Sequence, residues 1–337
     1  MSKKPKKNYV AWSIDEKDFP KKGTIEEQIK FIVGYGILAP STHNTQPWTI
    51  KQTGKQVNIS ANFNFQLPYA DPHNLGLYIS IGAIAENIVQ AARAYSMKTD
   101  VRILKECAVI SFGDKQTTIL KYPNTINAIT KRKSNKFAYQ GELSKQIKYK
   151  ISKIEHHENI EIKIVLDTNT KKSLTKIHVD AIKLIMQNKK FILELSKWMR
   201  PNFSRKYTGM PGNITGNSNV KSIIGKATAR AIKKVPPSVF ERENSIVTNS
   251  SGFLIFGAKQ NTVTGFILSG MTIERYWLSM TKAGVVAQPL FAIINSDKDC
   301  IKLKKLVGMK YTPVFILRIG NPTQNSDHTP RRIYKWN

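Results

Sequence analysis

Three stretches of this 337-residue chain gather side chains that could hold a ligand. The first is Ala39-Pro40-Ser41-Thr42-His43-Asn44-Thr45-Gln46-Pro47-Trp48. Its two prolines hold φ, and Ser41, Thr42, Asn44 and Gln46 line the backbone between them with donors and acceptors. A stiff, polar-edged loop of this kind suits a planar ligand that must be held in one orientation. His43 reads as a structural histidine rather than a proton donor. The second stretch, Arg132-Lys133-Ser134-Asn135-Lys136, places cations and a hydroxyl beside a helix boundary, the combination that a phosphate favours. The third, Thr329-Pro330-Arg331-Arg332, follows a strand and a Gly320 turn and repeats the basic theme. No Ser/His/Asp order, P-loop or metal-ligand spacing competes with them.

The elements that must position these groups are legible from periodicity and caps. Residues 1–23 read as a mobile or surface-draped arm. Thr24 with Glu26 and Glu27 predicts a helix from Ile25 to Ile37. Trp48 to Lys51 and Gln56 to Ala61 predict a hairpin about Thr53-Gly54. A long helix opens at Asp71-Pro72, with Asp71 as cap. Strands follow at Val101 to Leu104, Cys107 to Phe112 and Thr117 to Lys121, then a helix from Asn127 that carries the basic cluster. A helix at Ser144–Ile154, a strand from Ile160 to Leu166 and one long helix, Leu174–Leu195, come next. Residues 201–251 are the least regular part, around a basic helix at Lys221–Lys234, and read as a cover. A second long helix spans 265–284, and a strand from Thr312 to Ile319 closes the fold.

The two long helices align with each other. Gly82 falls on Gly270 and Glu86 on Glu274 at one offset, with apolar positions matching around them. Two amphipathic helices can match by chance, but the reading adopted is a duplicated unit whose long helices pack together. Bulk composition sets bounds. The balance of 53 basic against 23 acidic residues, net +30, favours anionic ligands. The lysines are scattered, and no nucleic-acid motif accompanies them, so no specific nucleic-acid partner is expected. Cys107 and Cys300 predict reduced thiols rather than a disulfide framework. With no secretory signal or membrane span expected, the chain reads as cytoplasmic.

The form A-P-S-x-x-N-x-Q-P-W resembles the flavin-contacting segment of the nitroreductase superfamily, most closely its Acg-type branch, in which two nitroreductase-like halves share one chain. Arg132 and Ser134 match that family's R-x-S-x-R phosphate signature, with Lys136 in place of its second arginine and Lys133 between. The resemblance implies bound FMN, with NADH or NADPH as electron donor and a small-molecule electron acceptor such as a quinone or nitroaromatic. It implies contacts from Pro40, Ser41, Thr42, Asn44, Gln46, Arg132, Lys133, Ser134, Lys136, Arg331 and Arg332. Gly284 to Phe291 resembles the post-helix segment near the ring, which adds Pro289 and Leu290, although Phe291-Ala292 stand where the family often has Glu-Gly. The implied fold is α+β: two α/β halves forming a pseudo-dimer around long central helices. The boundaries are 24–121 and 122–337, with a lid-like insertion at 201–251. Because each motif occurs in only one half, one complete site per chain is expected and a monomer is sufficient.

Overall fold

A computed structural model describes residues 6–114, 122–231 and 235–334. Helix α1 (Ile25–Gly36) begins at a full capping box: the Thr24 hydroxyl accepts from Glu27 N, and the Glu27 carboxylate accepts from Thr24 N. Strands β1 (Trp48–Thr53) and β2 (Gln56–Ala61) form the expected hairpin, with Trp48 opposite Ala61. Helix α2 (Leu75–Ala94) starts later than Asp71-Pro72 predicts, because Asn74 adopts a left-handed conformation. Asp71 still caps it from outside, its carboxylate accepting from Gly76 N at 3.0 Å and Leu77 N at 2.8 Å. Strands β3 (Thr99–Leu104) and β4 (Cys107–Phe112) complete a four-stranded antiparallel sheet of order β1-β2-β4-β3. The strand expected at Thr117–Lys121 lies outside the described residues.

Helix α3 (Pro123–Lys131) starts at Pro123 rather than Asn127 and stops short of the basic cluster, leaving Arg132 in extended backbone. After β5 (Tyr139–Gln140), α4 (Lys145–Ser152) and β6 (Ile160–Val165), the single long helix expected at Leu174–Leu195 is two. They are α5 (Thr168–Ile185) and α6 (Lys189–Trp198), and Asn188 caps the second through Lys190 N and Phe191 N. The pair β7 (Met199–Arg200) and β8 (Met210–Pro211) and the helices α7 (Asn219–Ala231) and α8 (Pro237–Thr248) follow. Strand β9 (Gly252–Ala258) is a central strand that the sequence reading lacked. Both faces of its sheet are covered, one by α9 (Val263–Lys282) and the other by α5, α8 and α10 (Asp297–Val307). Its apolar run therefore has none of the alternation that marks a one-sided strand. With β10 (Val286–Pro289) and β11 (Thr312–Pro322) it gives the antiparallel order β10-β11-β9-β6, and β5 pairs with the far end of β11.

Counted along the chain, each sheet has its first four main strands in the order 1-2-4-3, and a long helix follows the second strand in both. The tight turn at Gly54 in the first unit corresponds in the second to everything from α5 to α8. Helices α2 and α9 lie against each other with their glycines at the crossing. A Cβ on Gly82 would stand 2.0 Å from Ile267 O, and one on Gly270 would stand 2.1 Å from Ile79 O. Helix α2 is long and apolar enough to cross a membrane, which the sequence reading overlooked, yet 89% of the relevant window is buried inside the protein.

Candidate functional site

The loop between α1 and β1 is strained and tightly held. His43, Asn44 and Gln46 have φ of +52°, +55° and +54°, a region that disfavours side-chain-bearing residues by roughly 1–2 kcal/mol each. Side chains over-determine it. Asn44 Nδ2 donates to Gly209 O at 3.0 Å and Pro330 O at 2.9 Å, while its Oδ1 accepts from Arg331 Nη1 at 2.7 Å. Gln46 Nε2 donates to Tyr207 O at 2.7 Å, and its Oε1 accepts from Arg332 N at 2.8 Å. The loop, the segment around Tyr207–Gly209 and the tail are thereby fastened into one wall.

The basic cluster reaches the same place by sheet pairing. Ser134 forms a parallel bridge with Ala287, and Asn135 N donates to Ala287 O at 2.9 Å, which lays the segment beside β10. Arg132 Nη2 and Arg331 Nη2 both donate to Leu38 O, at 2.7 Å and 3.0 Å. Glu274, wholly buried on α9, holds an oxygen 3.0 Å from Arg132 Nε. Burial pushes the Glu274 carboxyl up to about 7 against the pull of Arg132.

Two adjoining chambers result. The larger, about 270 Å³, is bounded by Pro40, Ser41, Thr42, His43 and Asn44 of the loop, Ser134 and Lys136 of the basic cluster, and Pro289. Apolar side chains including Ile79 of α2, Met210, Ile214, Phe291 and Phe315 complete it. The smaller, about 50 Å³, is walled by Arg132, Lys133 and Arg331 together with Trp12 and His328. Asp327 also borders it, its carboxylate accepting from Asn213 Nδ2 at 2.6 Å. Pro40, Ser41, Ser134, Ile214 and Thr329 belong to both chambers.

Not every expected residue arrives there. Gln46 is wholly buried behind the wall, engaged with Tyr207 and Arg332 as described. Leu290 packs into the apolar layer between the second sheet and its outer helices. Arg332 lies over the Phe65 ring at 4.1 Å and donates to Thr45 O, outside both chambers. Asn44 borders the larger chamber, but its amide is spent on Gly209, Pro330 and Arg331, so it holds the loop together rather than facing a ligand. Trp12, His328, Met210 and Ile214 were missed, because neither period nor spacing marks them. The arm and the irregular segment that carry them are placed only by long-range contacts.

Four buried nitrogens on residues lining the chambers have no hydrogen-bond partner: His43 Nε2, His328 Nδ1, Arg132 Nε and Arg331 Nε. Glu274 stands near Arg132 Nε but outside hydrogen-bonding geometry. Buried polar atoms are rarely left unpaired, and the cationic side chains of Arg132, Lys133 and Arg331 around the smaller chamber suit an anionic group. Burial, then the nearby Lys136, lowers His43 to about 3. Burial likewise lowers Lys136 from its ordinary value.

No protein-family model matches the chain. No curated protein matches it either. Among solved structures it is similar to nitroreductase A from Vibrio parahaemolyticus RIMD 2210633, at 14% identity and TM-score 0.38 over 62% of this chain and 72% of that one. It is similar to iodotyrosine deiodinase bound to FMN and 3-iodo-L-tyrosine, at 13% identity and TM-score 0.41 over 63% and 98%. It is also similar to the FMN-dependent nitroreductase NfnB from Mycobacterium smegmatis in complex with NADPH, at 11% identity and TM-score 0.37 over 60% and 88%.

Proposed function

We infer that this chain is an FMN-dependent NAD(P)H oxidoreductase of the nitroreductase type, with the fused-halves organisation of the Acg-type branch, reducing quinones, nitroaromatics or similar acceptors by two electrons. One observation carries the reading: motifs about 90 residues apart converge on a mostly apolar chamber joined to a small cationic one. That is the outline of a flat ring system bearing one anionic tail. When bound, FMN would supply hydride transfer at its ring N5. The chain's part is to bind and orient. The Ser41 and Thr42 hydroxyls and the Lys136 ammonium edge the larger chamber. Arg132, Lys133, Ser134 and Arg331 surround the place for the phosphate.

The repeated strand order supports a duplication. So does a second groove of about 360 Å³, built from counterparts of the first site's elements. Its walls are the loop between α4 and β6, helix α9 and strand β3. The larger chamber uses the loop between α1 and β1, helix α2 and strand β10. Among the described residues the second groove has no counterpart of the R-x-S-x-K cluster, and its Arg275 is tied to Glu86 at 2.7 Å. This favours one flavin per chain.

A second reading has its own support. Met210 and Ile214 extend the irregular segment over the larger chamber, and the Asn44–Gly209 bonds hold that cover shut. This arrangement also suits a protein that sequesters FMN without turning over nicotinamide. The visible spectrum of purified protein before and after anaerobic NADPH separates the two. Flavin bands that bleach support the oxidoreductase; bands that stay oxidised support sequestration. No flavin after incubation with FMN sinks both.

A further inference from the structure

The N-terminal arm is part of the site rather than draped beside it. Asn8 is buried: its Nδ2 donates to Ser204 O at 3.1 Å and Lys206 O at 3.0 Å, and its carbonyl accepts from Arg331 N at 2.9 Å. These bonds seat the short 3₁₀ turn Lys7–Ser13 on the tail. Trp12 Nε1 then donates to Thr329 O at 2.8 Å, fixing the indole. The indole stacks on the His328 ring with centroids 3.9 Å apart, and the Arg331 guanidinium lies 4.8 Å from its centre. Both rings border the small cationic chamber.

We propose that the Trp12–His328 stack is the end wall of the cofactor site and selects a flavin carrying a single phosphate against one whose phosphate is extended into a dinucleotide. The inference rests on the flavin reading above. The physical reason is size. A water needs roughly 10–15 Å³ of such space, so a chamber of about 50 Å³ holds a terminal phosphate and little more. A second phosphate with its nucleoside must continue beyond it, and the stacked rings form part of the wall it would have to pass. The bond to Thr329 and the cation–π contact with Arg331 hold the indole against rotation, so the wall does not yield cheaply.

The test is equilibrium dialysis of flavin-stripped protein against FMN and, separately, FAD, with bound flavin measured by chromatography. Wild type is expected to prefer FMN by at least about tenfold, within the range a pocket's shape can discriminate. W12A and H328A each remove one ring of the stack and are expected to bring FAD within a few-fold of FMN. Either variant serves if the other does not fold. Equal binding of the two flavins by wild type overturns the wall while leaving the flavin reading intact. An unchanged preference in a folded variant, or equal loss of both flavins, also overturns it. Binding of neither flavin by wild type brings down the flavin reading itself.

Discussion

At the scale of single residues, the site is notable for how many of its polar groups are committed to one another. Arg331 donates a hydrogen bond of 2.7 Å to Asn44. Asn44, which looks like a ligand contact in the sequence, instead holds the loop to the tail, while Arg331 both ties the loop and walls the small chamber. The histidines make a titration prediction. His43 and His328 are both lowered to about 3, chiefly by burial. An imidazole that titrates near 6.5 unfolded but near 3 folded binds fewer protons in the fold. Its contribution to stability is present above about pH 6.5 and is lost as pH falls towards 3. Denaturant unfolding from pH 7 to 4 should therefore show H43N and H328N each losing less stability than wild type. The difference should be at least about 1.4 kcal/mol, the value of one pH unit. Curves parallel to wild type would show that neither ring is held neutral by the fold.

At the scale of elements, everything depends on how closely α2 and α9 approach. The crossing brings Glu274 of α9 within 3.0 Å of Arg132, and Ile79 of α2 lines the larger chamber. Side chains at Gly82 or Gly270 would meet backbone atoms at 2.0 Å and 2.1 Å, contacts that no rotamer change relieves. G82A and G270A are each expected to lose about 3 kcal/mol or more, at the upper end of overpacking penalties. The double variant should lose less than the sum, since both force the same separation. Thermal melts measure this; a variant melting within a degree of wild type refutes the crossing. Gly284 and Gly308, whose added Cβ atoms would meet nothing, test backbone strain rather than packing.

At the scale of the whole molecule, two sheets with one strand order share a single pair of long helices, and the chain supplies both sides of its own chamber. The expectation is a 38.1 kDa monomer carrying one flavin. Light scattering coupled to size exclusion, with flavin quantified on the same peak, checks both. Two flavins per monomer would place a ligand in the groove beside Arg275. A flavin present only on a dimer peak would show that a second copy completes the site.

Much of this was legible locally. The capping box at Thr24, the β1–β2 hairpin, the two long helices with their matched glycines and most of the first motif follow from caps, turns and periodicity over a few residues. The uniform run Gly252-Phe253-Leu254-Ile255-Phe256-Gly257-Ala258 did not announce a strand, because burial on both faces erases alternation. Nor did spacing separate Ser134, which faces both chambers, from Leu290, which packs into the core. Local sequence determined the capped helices, the β1–β2 hairpin and the stiff loop, since those depend on neighbours along the chain. Only the tertiary structure decided which polar groups face a cavity and which face each other, because Arg331 meets Asn44, and Trp12 meets His328, across nearly the whole length of the chain.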